Sequence, residues 1–459
     1  MSEKNKYPKL YVKNFAKIKE AEIELAPFTL FVGDNNSCKT YLSTLVYGLI
    51  KYTSKIIYDI FEYTDEIKNS NEYKKVTNII NDIIDKNEEV NLSLEDKEDF
   101  IKLFNFLLNK YSNKLINYIF NSSDIIHLDY INLDFTCYIN EKIYIEINKR
   151  KIDNKEFYNI ELDYNRIISY SDLEENRFNI INIIMSFMIR AHFDISLYMS
   201  ANIVFFPVSR TGLLSTKNNI LKSYVDKFNK INSFDDNLIK EELLSNTWQD
   251  FLKKLIDLSG KIKEENRFKE IVSLIEDNII DGKINVNQET GGIYYIPNFN
   301  KGSSFPMYLS SAVITETAPL YLFLKYGFIK ERLIMEEPEI SLHPELQQQL
   351  TRVFIKLVNS YIHILITTHS DTIIQHINNM IKLNSNDEER KKYLMNKYGY
   401  DEDDLISEDK VRMYQFDIEE DGFTKVTKLE SSEYGFEVPT FNKVLKKISD
   451  EIYDFQEEL

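Results

Sequence analysis

Apolar residues recur at every second position through LYVKNFAKIKEAEIELAPFTLFVG, residues 10–33, which predicts two or three strands running into a glycine. The period then lengthens. In YLSTLVYGLIKYTSKIIYDIF, residues 41–61, the spacing is helical, so a strand, a polar turn and a helix follow one another directly. Residues 71–120 keep the helical period, with Val76, Ile79, Ile80, Ile83 and Ile84 on one face. Phe100, Leu103, Phe104, Leu107 and Leu108 form a second stripe behind a Ser93 to Asp96 cap signal. Alternation returns over 131–164 in LDFTCYI, KIYIEI and NIELDY, predicting a small antiparallel sheet.

Further along, a helix around 175–200 leads to the apolar strand IVFFPVSR, ending in Arg210 and Gly212. Residues 219–280 are helical by period, and KINVNQETGGIYYIP reads as a hairpin turning at Gly291 and Gly292. Leu333 to Met335 and Ile364 to Ile366 are short buried strands. The run NSNDEERKKYLMNKYGYDEDDLISED is charged enough to be expected as a surface loop or a partly ordered excursion. Beyond it come a hairpin turning at Asp421 and Gly422 and a last helix over 441–455.

The 459 residues are 43% hydrophobic and 28% charged, the balance of a globular protein rather than a disordered one. A formal net charge of −17 confines any contact with DNA to a local patch. Cys38 and Cys137 are too few for a disulfide framework, and MSEKNKYPKL lacks the apolar stretch of a signal peptide, so a cytoplasmic protein is expected. The most apolar helical stretch, 179–200, carries Arg190, His192 and Asp194, which favours a buried helix over a membrane span.

Candidate chemistry begins at FVGDNNSCKTYL. Gly33, four residues, then Cys38, Lys39 and Thr40 follow the G-x-x-x-x-G-K-[ST] spacing of a phosphate loop, with cysteine in place of the second glycine. In such a loop the amides of Gly33, Asn35, Asn36, Ser37 and Cys38 wrap phosphate, Lys39 reaches the outer oxygens and Thr40 offers a hydroxyl to Mg2+. A side chain at position 38 is tolerable at negative φ and strained at positive φ.

Glu336 and Glu337 close the LIM strand, where open α/β sheets bind their ligands, and PEISLHP continues the motif. One carboxylate there can hold Mg2+ while its neighbour orients or deprotonates water. His369 follows the ILITT strand 32 residues after Glu337, which leaves room for one helix between the two strands. It can meet a terminal phosphate, although a structural histidine with Ser370 and Asp371 capping the next helix is the plain alternative. Ser310 and Ser311 precede an apolar helix and are either its cap or a phosphate-facing turn.

In this order the motifs resemble the ABC-type ATPase heads of the SMC, RecF and OLD families, and especially the stand-alone ATPase subunits of PARIS- or Septu-like anti-phage systems. The resemblance covers the first 50 residues and about 200–384. It implies an α/β fold: an ABC-type ATPase head with a mixed sheet and flanking helices, carrying helical insertions and a small antiparallel sheet. Head segments are expected at 1–50, 201–218 and 283–384, helical insertions at 51–130 and 219–282, a small sheet plus helix at 131–200, and a charged loop, hairpin and terminal helix at 385–459.

The same resemblance implies ATP and Mg2+ as ligands, Glu336 with Thr40 on the metal, Glu337 as catalytic base and His369 as the switch histidine. Ser310 and Ser311 would reach a partner head's nucleotide, and Arg210 would lie near the nucleotide, its alternative being a surface arginine in a turn. Expected partners are a second copy in an ATP sandwich or a higher homo-oligomer, a separately encoded nuclease or toxin, and a phage-encoded trigger or DNA, with no membrane. An ATP-stapled scaffold without appreciable hydrolysis and a RecF-like DNA-repair ATPase are the alternatives.

Three departures point to slow turnover: Cys38 in the loop, Ala312 at a signature glycine, and the lack of any glutamine between Thr40 and Trp248. OLD nucleases carry a further TOPRIM domain. The 75 residues after Asn384 are short for one, so no nuclease is expected in this chain.

Overall fold

A computed structural model describes residues 7–86, 88–122, 124–135, 143–152, 155–162, 166–170, 173–192, 202–217, 244–258, 267–432, 435–439, 447 and 449–455. The chain divides into two compact units. The first comprises Met1–Leu25, Gly48–Tyr118 and Ser122–Ala201; the second comprises Ala26–Tyr47, Ile119–Asn121 and Asn202–Leu459.

The second unit is built on six neighbouring strands. They are β1 (Phe28–Gly33), β2 (Ile203–Phe206), β3 (Arg332–Glu336), β4 (His363–Thr367), β5 (Val411–Ile418) and β6 (Thr424–Leu429), in the order β6-β5-β1-β4-β3-β2. β5, β1, β4, β3 and β2 run parallel, and β6 returns antiparallel to β5. Every residue of β1, β2 and β3 is buried, which is why these strands read as unbroken apolar runs rather than alternations. The register pairs Glu336 with Thr367 and Thr367 with Phe31, so β1, β3 and β4 deliver their carboxyl ends to one edge.

Helices α1 (Lys39–Lys51), α2 (Ala312–Lys325), α3 (Pro344–Asn359) and α4 (Asp371–Asn384) flank or cap these strands. α3 is the single helix that the spacing between Glu337 and His369 leaves room for; it starts with Pro344 at its first position, where a missing N–H costs nothing. Its buried face of Leu350, Val353, Phe354 and Leu357 joins the core with α2, which is buried from Ile314 through Lys325. The expected hairpin forms from Gly282–Val286 and Ile293–Pro297, with Gly291 at φ +66°.

In the first unit, Lys9–Phe15 pairs antiparallel with Ile18–Glu24 on one side and Tyr130–Asp134 on the other. Residues 131–134 therefore do not enter the small sheet expected over 131–164. Their inward Ile131 and Leu133 lie opposite Val12 and Leu10, and the side chains of Asn105 and Asn109 bond the backbone of Leu133 and Ile131 at 2.7–2.9 Å. Cross-chain pairing, invisible to local alternation, decides the sheet. The small antiparallel sheet does form, from Val90–Asn91, Tyr144–Ile152, Lys155–Leu162 and Arg166–Tyr170. Helices Asn71–Lys86 and Leu94–Lys110 carry the two predicted stripes inward, and Ser93 and Asp96 form a complete capping box.

The charged run 384–409 is a second correction. It contains a helix, Glu388–Tyr398, capped by the Asp387 side chain at one end and by Gly399 at φ +72° at the other. Within the acidic group that follows, Asp404 is fully buried and paired with Arg352 at 2.8 Å and Lys356 at 3.4 Å. A charge pattern that looked solvated contains a structural ion cluster. Cys137, residues 219–243, and residues 441–446 of the expected last helix lie outside the described residues, while 449–455 are helical. Among the described residues, no helix is long and apolar enough to cross a membrane.

Candidate active site

β1 ends in Gly33 at φ +119°, and the turn that follows places Asn36 at φ +59° and Cys38 at φ +66° before α1 begins at Lys39. The sequence left the sign of φ at position 38 open. Its positive value means that a cysteine occupies a conformation suited to glycine, at a cost on the order of 1–2 kcal/mol. Cys38 is buried and free. Asn35, Asn36 and Thr40 face solvent, whereas Ser37 is buried and its hydroxyl donates to the Asp34 carbonyl at 2.7 Å.

Lys39 curls back over this loop. Its ammonium donates to the carbonyls of Gly33 and Asp34 and to the Ser37 hydroxyl. Burial pulls its pKa down to about 8, opposed by the carboxylates of Glu337, Asp34 and Glu339. The loop is also tied to β5, a strand for which the sequence offered no role at the site: the Asp34 amide donates to Phe416 O at 2.9 Å, and the Asp34 carboxylate accepts from the Ile418 amide at 3.0 Å.

Glu336 closes β3 with a buried carboxyl group. Burial raises its pKa to about 7, opposed by the Val208 amide and by the Thr40 hydroxyl. Val208 N–H donates to Oε2 at 3.2 Å. Oε1 is buried without a hydrogen bond, and the nearby Thr40 hydroxyl favours the ionised form of the carboxyl group. An orphaned carboxylate oxygen beside a threonine hydroxyl suits a hard cation, and Glu336 and Thr40 fit Mg2+ together with water and phosphate oxygens. Among the described residues, no cluster of three or more His, Cys, Asp or Glu side chains could hold a metal by itself.

Glu337 stands just past the strand at φ +41°, another non-glycine residue in the left-handed region. Its amide donates to Thr367 O at 2.8 Å, and its carboxylate lies 4.0 Å from His369 Nε2. The His369 ring is bonded to the Gly33 carbonyl. Burial and the Lys39 charge lower its pKa, while Glu337 and the Gly33 carbonyl work the other way. The His369 amide donates to Glu339 Oε1 at 2.6 Å. Burial raises the pKa of Glu339, and its Oε2 makes no hydrogen bond. Glu339 belongs to this carboxylate group. Its place in EEPE was visible, but its orientation depends on the turn at 337–340.

Arg210 lies against the end of β3. Its guanidinium is fully buried; Nη1 donates to Glu336 O at 2.8 Å, Nη2 donates to Glu337 O at 3.1 Å, and Nε pairs with Glu316 Oε2 at 2.9 Å. The surface turn that was its alternative reading is corrected by this burial: the side chain braces the end of β3. Ser311 is the exposed N-cap residue of α2 and makes no capping bond, while the Ser310 hydroxyl is buried without a partner.

A strand end, an amide-rich turn with a buried lysine, a helix N-terminus and acids on the neighbouring strands define a nucleotide-phosphate site of the kind ATPases use. The sequence matches the AAA ATPase domain family over residues 7–374, and the chain belongs to that family. No curated protein matches it.

Among solved structures it is similar to an Smc head bound to the C-terminal winged-helix domain of ScpA, with 13% identity, TM-score 0.36, and coverage of 92% of this chain and 98% of that one. The SMC head domain from Thermotoga maritima gives 11% identity and TM-score 0.32, over 92% and 98%. An Smc head domain with an extended coiled coil, bound to the C-terminal domain of ScpA derived from Pyrococcus furiosus, gives 12%, 0.36, and 96% and 99%.

Proposed function

We propose that this chain binds ATP and hydrolyses it slowly, working as a nucleotide-dependent oligomeric switch that controls a separate effector in bacterial anti-phage defence. The observation that carries the catalytic part is the meeting of Glu337 and His369 at 4.0 Å, at a strand edge shared with the lysine-bearing loop. The ordered motifs carry the switch and defence part by their resemblance to stand-alone defence ATPases.

In this reading the amides from Gly33 to Cys38, with Asn35, Asn36 and Ser37 between, cradle the phosphates, and Lys39 turns from its own loop to the outer phosphate oxygens. Thr40 and Glu336 would hold Mg2+, which when bound would neutralise phosphate charge. Glu337 accepts a proton from the attacking water. His369, bonded to Gly33 and beside Glu337, holds the water's position and reports the terminal phosphate to the loop. Ser310 and Ser311 serve the nucleotide of a second copy, so closure needs two chains. The partners are that copy, a nuclease or toxin encoded elsewhere, and a phage-derived trigger or DNA.

One observation favours a second reading, an ATP-stapled scaffold that assembles without appreciable hydrolysis: Cys38 sits at φ +66°, where the loop is strained. The two separate in a single experiment. Phosphate release and oligomer mass are measured with and without Mg-ATP for the wild type, Lys39→Ala and Glu337→Gln. A switch hydrolyses ATP and loses its assembly as ATP is spent, and Glu337→Gln stays assembled. Full assembly with no phosphate release would establish the scaffold, and an assembly indifferent to Lys39→Ala would reject both.

A further inference from the structure

The buried Arg210 is bonded on two sides to different parts of the site. On one side, Nη1 and Nη2 grip the consecutive carbonyls of Glu336 and Glu337 at 2.8 and 3.1 Å, and Nη1 also reaches Pro207 O at 3.3 Å. On the other, Nε meets Glu316 at 2.9 Å. Glu316 is the fifth residue of α2, the helix whose N-terminus is formed by Ser310 and Ser311. The peptide that Arg210 holds is the one bearing Glu337 at φ +41°, a conformation that persists only where its surroundings enforce it. A guanidinium suits this task because its donors form a rigid planar fork, which an ammonium lacks.

We infer that the Glu316–Arg210 pair is a positioning device that ties α2, and with it Ser310 and Ser311, to the strained backbone at Glu337. A movement of α2 is passed first by the Glu316–Arg210 ion pair and then by the guanidinium's hydrogen bonds to the carbonyls of Glu336 and Glu337, to the carboxylate that faces His369. Neither residue touches the reacting atoms; both act through Glu337. The inference rests on the reading of Glu337 as the base, and it adds a physical route by which engagement of the Ser310 and Ser311 turn changes the rate of hydrolysis. It also accounts for burying an arginine at this place, since a brace of this kind needs a dry, inflexible contact.

The test uses the full chain with Mg-ATP and follows kcat, ATP Kd and Tm together. Glu316→Gln keeps the shape of the side chain and removes its charge, and Arg210→Lys keeps a charge but loses the fork. The expected result is a fall in kcat of about tenfold for Glu316→Gln and about a hundredfold for Arg210→Lys, with ATP Kd within about threefold of the wild type. In a Glu337→Gln background neither change lowers the residual rate further, because the group being positioned is gone.

An unchanged kcat, or a loss that appears equally in the Glu337→Gln background, overturns the inference. So does a parallel loss of kcat, affinity and Tm, which marks a general structural role. Should Glu316→Gln melt below the assay temperature, Glu316→Asp, one methylene shorter with its charge kept, decides by the same criteria. Failure of the underlying reading looks different: Glu337→Gln itself would then hydrolyse ATP like the wild type.

Discussion

The α-carbon of Gly33 lies so close to the backbone of Phe416 that a Cβ placed on it would stand 2.2 Å from the Phe416 carbonyl oxygen. At φ +119° the glycine also occupies a region that side-chain-bearing residues avoid. The phosphate loop is thus shaped by β5, nearly four hundred residues further along the chain, as much as by its own sequence.

Gly33→Ala should displace the loop from β5 and lower stability by about 1–3 kcal/mol. Thermal melting and ATP binding check this together. A variant that melts and binds like the wild type would show that the loop and β5 can separate freely.

Cys38→Gly should act in the opposite direction. Removing a Cβ from φ +66° stabilises the chain by about 1 kcal/mol and raises the hydrolysis rate several-fold if loop strain limits it. Denaturant midpoints and phosphate release give the two numbers. A faster melt with no gain in rate would mean that the thiol packs usefully where it is.

Glu337→Gln should lower kcat by about 10²–10⁴-fold while leaving ATP binding intact, since the amide keeps the shape of the side chain and loses its basicity. Single-turnover hydrolysis set beside equilibrium binding separates the two. Equal turnover by variant and wild type would remove Glu337 from the chemistry.

Acid should weaken the second unit through His376. The ring is buried, its Nε2 makes no hydrogen bond, and it lies beside Arg352, Asp404 and the Tyr400 ring. Burial, with a smaller contribution from Arg352 and opposition from Asp404, lowers its pKa to about 4. The unfolded chain therefore binds a proton below about 6.5 that the folded chain resists until about pH 4. Stability falls across that window by about 3 kcal/mol as pH drops, and is unaffected by this group above it. Melting curves from pH 7 to 4 should be flatter for His376→Gln than for the wild type; equally steep curves would place the acid sensitivity elsewhere.

Much of the site was legible because its residues lie in two short runs. Gly33 to Thr40 and Glu336 to Glu337 are contiguous, and each sits where a strand must end. His369 could be paired with Glu337 by counting residues for one helix, and α3 supplies it. Arg210 was noticed, but its burial was not. An arginine after a strand looks exposed in sequence, and only packing shows that two carbonyls and Glu316 enclose it. The helix Glu388–Tyr398 went unread because it is polar on most faces and is specified by its caps, Asp387 and Gly399, rather than by an apolar stripe.

By itself the sequence determined which residues are candidates for the chemistry and the order in which they follow strands along the chain, because apolar period, glycine and charge are local properties of the chain. The tertiary structure decided what local pattern cannot carry. It set the sign of φ at Cys38, brought β5 against Gly33, withdrew Arg210 from the solvent and sent Tyr130–Asp134 to pair with Lys9–Phe15. Each of these depends on contacts between segments far apart along the chain, and such contacts exist only once the strands have found their register.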